Sequence, residues 1–168
     1  MRKMNNSLGA KTTAWFVLLF LALTCLSLPA GAQSVGAPSG ACSAEISSLS
    51  DGDKVGPSVT VRGVAALPAD GYLWLLARKK SMGNQWWPQA GGAVETDDKG
   101  RWEAEVFFGK PADVGSTFEV AAVVVNRQTD QRLINWFATA KELEYPPITF
   151  PNAVTGCRVV TVKVVKDR

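Results

Sequence analysis

From Cys42 onward the chain breaks into short apolar runs of period two, each stopped by a cluster of Gly, Pro, Asp or Ser. Extended backbone turns successive side chains to opposite faces, so this pattern predicts an antiparallel sandwich or barrel. Ile46 marks a first strand, and Ser50 to Ser58 reads as a loop. Val59, Val61, Gly63 and Ala65 share one face of a second strand, with Thr60 and Arg62 on the other. From Tyr72 to Arg78 both faces are apolar, which predicts a central strand covered on each side. Val94 begins a hairpin that turns at Asp97-Asp98-Lys99-Gly100 and returns with Trp102, Ala104 and Val106 alternating with Arg101, Glu103 and Glu105. Thr117 to Val125 forms another apolar strand, and Val160, Val162 and Val164 line the inner face of the last.

The period changes once. Thr129 or Asp130 caps a helix near Gln131 to Leu143 that carries Leu133, Ile134, Phe137 and Ala140, and Tyr145-Pro146-Pro147 cannot continue it.

Ahead of this domain, Arg2, Lys3 and Lys11 precede an apolar run of fifteen residues, Ala14 to Leu28. Pro29 breaks the run, and Ala30-Gly31-Ala32 supplies small residues at the positions a signal peptidase reads. The run falls short of the roughly 20 residues a spanning helix needs. Residues 1–32 therefore read as a cleaved signal peptide, 33–41 as a flexible Gly/Ser/Pro leader, and 42–168 as the β domain. Contact with a membrane is expected only through the signal peptide before cleavage, and the mature chain is expected in the periplasm or secreted.

Export changes the charge balance. Three of the 18 Lys and Arg lie in the signal, leaving fifteen against 15 Asp and Glu. A chain without basic excess lacks the electrostatic footprint of a nucleic-acid binder. The basic cluster Arg78-Lys79-Lys80 reads as a solvated turn at a strand end. Cys25 lies within the apolar run, which leaves Cys42 and Cys157 near the two ends of the domain. An isolated pair so placed in an oxidising compartment predicts a disulfide.

Leu73-Trp74-Leu75 with Arg78, Trp87-Pro88-Gln89, Gly100-Arg101-Trp102, Gly109, and Gly115 with Phe118-Glu119-Val120 occur in an order that resembles a type of bacterial extracytoplasmic domain. That resemblance spans about Ile46 to Val125, with the helix and last strand fitting more loosely, and implies an immunoglobulin-like or fibronectin-like β-sandwich. With the helix read above, the expected fold is a mostly β antiparallel sandwich with one short helix before the last strand. It implies nothing about activity. Cys42 and Cys157 do not occupy the strands that carry the intersheet disulfide of antibody domains, although Trp74 holds a comparable third-strand place.

The chain has no histidine, which removes Ser-His-Asp and Cys-His catalysis and the commonest metal ligand. Asp51 with Asp53 and Asp97 with Asp98 are turn formers without the further oxygen ligands of a calcium loop. Glu103 and Glu105 read as solvated surface rather than a glycosidase pair. No catalytic residue, metal site or cofactor is expected. The candidates for binding are Trp86 and Trp87: adjacent residues on extended backbone face opposite ways, so one ring points inward and the other outward. Three readings follow, in order of support: a noncatalytic interaction module for a protein or glycan of the cell envelope, a carbohydrate-binding module stacking a sugar on Trp86 or Trp87, and a carboxylate-dependent hydrolase.

Overall fold

A strand whose side chains are apolar on both faces needs cover on both, and Gly71–Lys79 (β4) sets the layering of the molecule. Leu73, Leu75 and Ala77 point one way and Trp74 and Leu76 the other, and all five are buried. A computed structural model describes residues 42–168 of the chain. The signal peptide expected at 1–32 and the leader at 33–41 lie outside the described residues.

Among the described residues eight strands form two sheets. Ser43–Ile46 (β1), Ser58–Ala66 (β3) and Arg101–Phe107 (β6) make a three-stranded antiparallel sheet in the order β1-β3-β6. The other sheet has the order β2-β8-β7-β4-β5, with Asp53–Val55 (β2), Val160–Lys166 (β8), Thr117–Asn126 (β7), β4 and Trp87–Pro88 (β5). Its pairings are antiparallel except β2 with β8, which run parallel. The described residues are mostly β and two-layered, as the alternation predicts, with one α-helix among them, Arg127–Ala140 (α1), before the last strand.

Between the sheets Val61, Leu75, Trp102, Val106, Phe108 and Val120 pack into the main core. Trp102 lies across Gly63, where a Cβ would collide with the indole and with the Glu45 carbonyl oxygen. A second core forms on the outer face of the five-stranded sheet, where Trp74, Leu76, Trp86, Ala121 and Val123 meet Leu133 of α1. The half-buried Phe137, Ile148 and Phe150 complete that cover. Trp74 therefore faces the helix and not the space between the sheets, so its likeness to the antibody-type tryptophan ends at strand position.

Cys42 and Cys157 are bonded, with their Cα atoms 4.7 Å apart. The bridge ties the residue before β1 to the approach of β8, the placement that the spacing predicts.

Four expectations need correction. The loop expected over Ser50 to Ser58 contains β2, held by parallel pairing of Asp53, Lys54 and Val55 with Val164, Val165 and Lys166. Val94 does not open a hairpin: its N–H donates to the Leu73 carbonyl at 2.7 Å in one sheet, and β6 pairs with β3 in the other. The turn at Asp97 is real, with Gly100 at φ 72, but it carries the chain between sheets. The helix starts at Arg127, four residues early, because Asn126 caps it by accepting from the Thr129 N–H at 2.9 Å. Thr129 and Asp130 are buried in its first turns, while Ile134 is exposed.

Candidate functional site

Trp86 and Trp87 part company in the way alternation predicts. The Trp86 backbone exchanges hydrogen bonds with Ile148 at 2.9 and 2.8 Å, which draws the irregular segment after α1 over the outer core. Its ring is buried, edge-on to Phe150 at 4.8 Å and under the Arg78 guanidinium at 4.6 Å. Trp87 turns the other way, half-buried, and its indole N–H donates to the Tyr145 carbonyl at 2.8 Å. Only Trp87 of the pair lines the groove described next.

That groove, about 990 Å³, lies beside the short edge strand β5. Three distant stretches build it. Gln89 joins the sheets: its N–H donates to Leu75 at 2.9 Å, its side-chain amide to the Trp87 carbonyl at 3.0 Å, and its Oε1 accepts from the Phe107 N–H at 2.9 Å. This sets Phe107 at one wall. The opposite wall comes from the end of α1 and its exit, where the Trp136 indole donates to the Pro146 carbonyl at 3.0 Å and packs edge-on to Phe137 at 4.8 Å. Tyr145 precedes Pro146, which disfavours the right-handed helical region. The chain leaves the helix through Glu144 and Tyr145 at φ 55 and 54.

Two observations distinguish the groove from the rest of the surface. Of the seven large apolar residues exposed among the described residues, four line it: Met82 at 42 %, Phe107 at 58 %, Leu143 at 61 % and Tyr145 at 51 %. All three non-glycine residues with positive φ among the described residues, Ala90, Glu144 and Tyr145, line it as well. Such conformations cost about 1–2 kcal/mol each and persist where the surroundings impose them.

Several polar groups at the groove are engaged by protein partners. Lys79 pairs with Asp113 at 2.8 Å, and Arg78 with Glu119 and with the Gly83 carbonyl. Two members of the basic cluster that reads as a solvated turn are thus part-buried ion-pair partners, and Lys80 alone is exposed. The Asp113 carboxyl is held below the ordinary aspartate range, first by the Lys79 ammonium and then by the Lys110 N–H.

The remaining carboxylates sit where turn chemistry places them. Asp97 accepts from the N–H groups of Lys99 and Arg101 at 2.9 Å and from the Arg101 guanidinium, whose hydrogen bond is the main cause of its lowered pKa. Asp53 accepts from Ser50 N–H, and Asp51 from Lys163 N–H, each at 2.8 Å. Glu103 meets Arg62, and Glu105 meets the Ser58 hydroxyl, on the exposed face of β6.

Sequence reasoning finds Trp87 but not Met82, Phe107, Leu143 or Tyr145. One signal was present: Phe107-Phe108 is a second adjacent aromatic pair on a strand, and the same alternation buries Phe108 and exposes Phe107. No known protein family matches the chain, and no curated protein matches it.

Proposed function

We propose that the protein is a noncatalytic interaction module acting outside the cytoplasm, in the periplasm or secreted, and that the groove beside β5 holds an apolar segment of a partner protein of the cell envelope. The observation that carries this reading is the convergence of Met82, Phe107, Leu143 and Tyr145 on one groove with Trp87. Exposed apolar side chains gathered in one place mark interaction surfaces, whereas scattered ones need no explanation. Adaptable Met and Leu side chains beside rigid aromatic rings suit a peptide anchor.

A sugar would need hydrogen-bonding groups around its stacking platform. Gln89, Arg78, Lys79 and Asp113 are committed to protein partners, and the side chains most exposed at the groove are apolar, which favours an apolar peptide over a glycan. The disulfide and the charged, apolar and small-residue tripartite start of the chain support export. Among the described residues no helix is long and apolar enough to cross a membrane.

The reading is tested by placing a photo-crosslinking amino acid at position 145 or 107 in the source cells, with position 60 on the exposed face of β3 as the control. One discrete adduct from 145 and 107, absent from 60 and lost with Trp87→Ala, is expected. Equal, diffuse labelling from all three positions would refute the groove as a docking site. The mass of the exported protein is expected to begin at Gln33; retention of residues 1–32 refutes cleavage.

A further inference from the structure

The three-stranded sheet has an open edge at β6. At one end of the β3·β6 ladder the Ala65 N–H donates to the Gly100 carbonyl at 2.7 Å, and at the other the Phe108 N–H donates to the Pro57 carbonyl at 2.8 Å. The even-numbered residues of β6 therefore turn their backbone groups to β3, and the odd-numbered ones turn theirs away. The chain closes both ends of that outward row itself. Arg101 exchanges hydrogen bonds with Asp97, whose carboxylate and N–H take its N–H and carbonyl at 2.9 Å each, and the Phe107 N–H donates to Gln89. Between them the N–H and carbonyl groups of Glu103 and Glu105 have no partner among the described residues.

Beside this stretch lies a cleft of about 420 Å³ lined by Val94, Glu95, Glu103, Ala104, Glu105 and Phe107. The geometry points to a second docking surface, where an extended partner segment adds to β6 as a strand whose residues alternate between basic and small apolar. The charge comes from Glu95, Glu103 and Glu105: Arg62 balances one of them at 3.2 Å, which leaves an acidic surplus on the outer side of the added strand. Its inner side would meet Ala104 and Val94. A second copy of the chain does not suit the edge. Every antiparallel register that pairs the open groups of two copies with each other sets a glutamate opposite a glutamate, and like charges directly opposed destabilise a ladder. Backbone hydrogen bonds supply the affinity in such strand addition, and alternate side chains the selectivity.

This inference rests on the reading of the domain as an interaction module but uses an adjoining surface that shares Phe107 with the groove. It fails separately because Glu103 and Glu105 line only the cleft and Tyr145 only the groove. The test is selection of a random peptide library on the immobilised protein, followed by binding of the enriched peptides to variants that retain the disulfide and the far-UV spectrum. Peptides with Lys or Arg at alternate positions are expected. The pair Glu103→Lys and Glu105→Lys should weaken them by about tenfold or more, and glutamate-for-lysine peptides should recover the loss. Glu105→Pro, which removes an outward N–H together with the carboxylate, should weaken the original peptides more than Glu105→Gln, which removes the charge alone. The proposal is overturned by an absence of enrichment, by enriched peptides without basic alternation, or by basic peptides indifferent to both sets of variants. It is equally overturned by a dimer that Glu105→Pro dissociates. Peptides lost with Tyr145→Asp but kept by the β6 variants would leave the groove standing and remove the edge.

Discussion

Trp86 and Trp87 are adjacent and chemically identical, and their consequences for the molecule differ because one backbone step reverses the side chain. Trp86 fills the outer core, so Trp86→Ala should cost ~3–5 kcal/mol. Trp87 is half-buried and holds one hydrogen bond to Tyr145, so Trp87→Ala should cost ~1–2 kcal/mol while abolishing crosslinking from position 145. Urea unfolding followed by far-UV circular dichroism separates the two; equal losses would deny the alternation. A second residue-scale device joins strand to helix: the buried Trp74 indole donates to the Asp130 carboxylate at 2.9 Å. Asp130→Ala leaves that N–H buried without a partner and should cost ~1–3 kcal/mol, whereas Asp130→Asn retains an acceptor oxygen and should recover much of the loss. Lys166 makes the same point about buried polarity, since its ammonium lies within the fold, donating to the Phe108 and Lys110 carbonyls at 2.7 and 2.6 Å. The alternation that reads Val160, Val162 and Val164 as core also assigns Lys166 to that face, where only knowledge of the carbonyls it meets makes burial intelligible.

Elements were legible where one face is apolar over several residues and obscure where pairing alone defines them. β3, β4, β6, β7 and β8 follow the alternation of their own side chains. In β2 only Val55 is buried, and its three residues become a strand through a parallel partner more than a hundred positions away. The first turn of α1 carries Arg127 and Gln128, both exposed, so hydrophobic spacing starts too late to mark its beginning. The 3-10 turn at Pro111–Asp113 shows how a small element is fixed electrostatically. Asp113 accepts from the Lys110 N–H at 2.7 Å and pairs with Lys79 of β4. Its folded pKa lies below the ordinary value of 3.8. Stability from this group is therefore fully present above the unfolded pKa and is lost as pH falls through the lower folded value. The stability gap between the native protein and Asp113→Asn should stay constant from neutral pH down to about the ordinary aspartate value, then close in more acid solution. A gap that does not change with pH until the whole protein unfolds would refute the pairing.

At the scale of the whole molecule, the groove could not be read from the sequence because its walls come from β5, the end of β6 and the exit of α1, brought together only by the sandwich and its helical cover. The covalent frame was readable, because two cysteines near the ends of the described domain have one intramolecular pairing. Cys42 leads into β1 of the three-stranded sheet and Cys157 approaches β8 of the five-stranded sheet, so the bridge fastens one sheet to the other. It spans 115 positions, and restricting an unfolded chain over such a loop is worth ~4–5 kcal/mol in the chain-entropy model. The strands on either side are also held by their own ladders, β1 on β3 and β8 on β7, so the double variant Cys42→Ser with Cys157→Ser should keep its far-UV spectrum and its groove adduct while its urea midpoint falls. Replacing both cysteines avoids a stray thiol that would confuse the comparison. Nonreducing peptide mapping of the exported protein should recover the two cysteine peptides linked. Two alkylatable thiols in the folded, exported chain would refute the bridge, and an unchanged urea midpoint in the double variant would refute its contribution to stability.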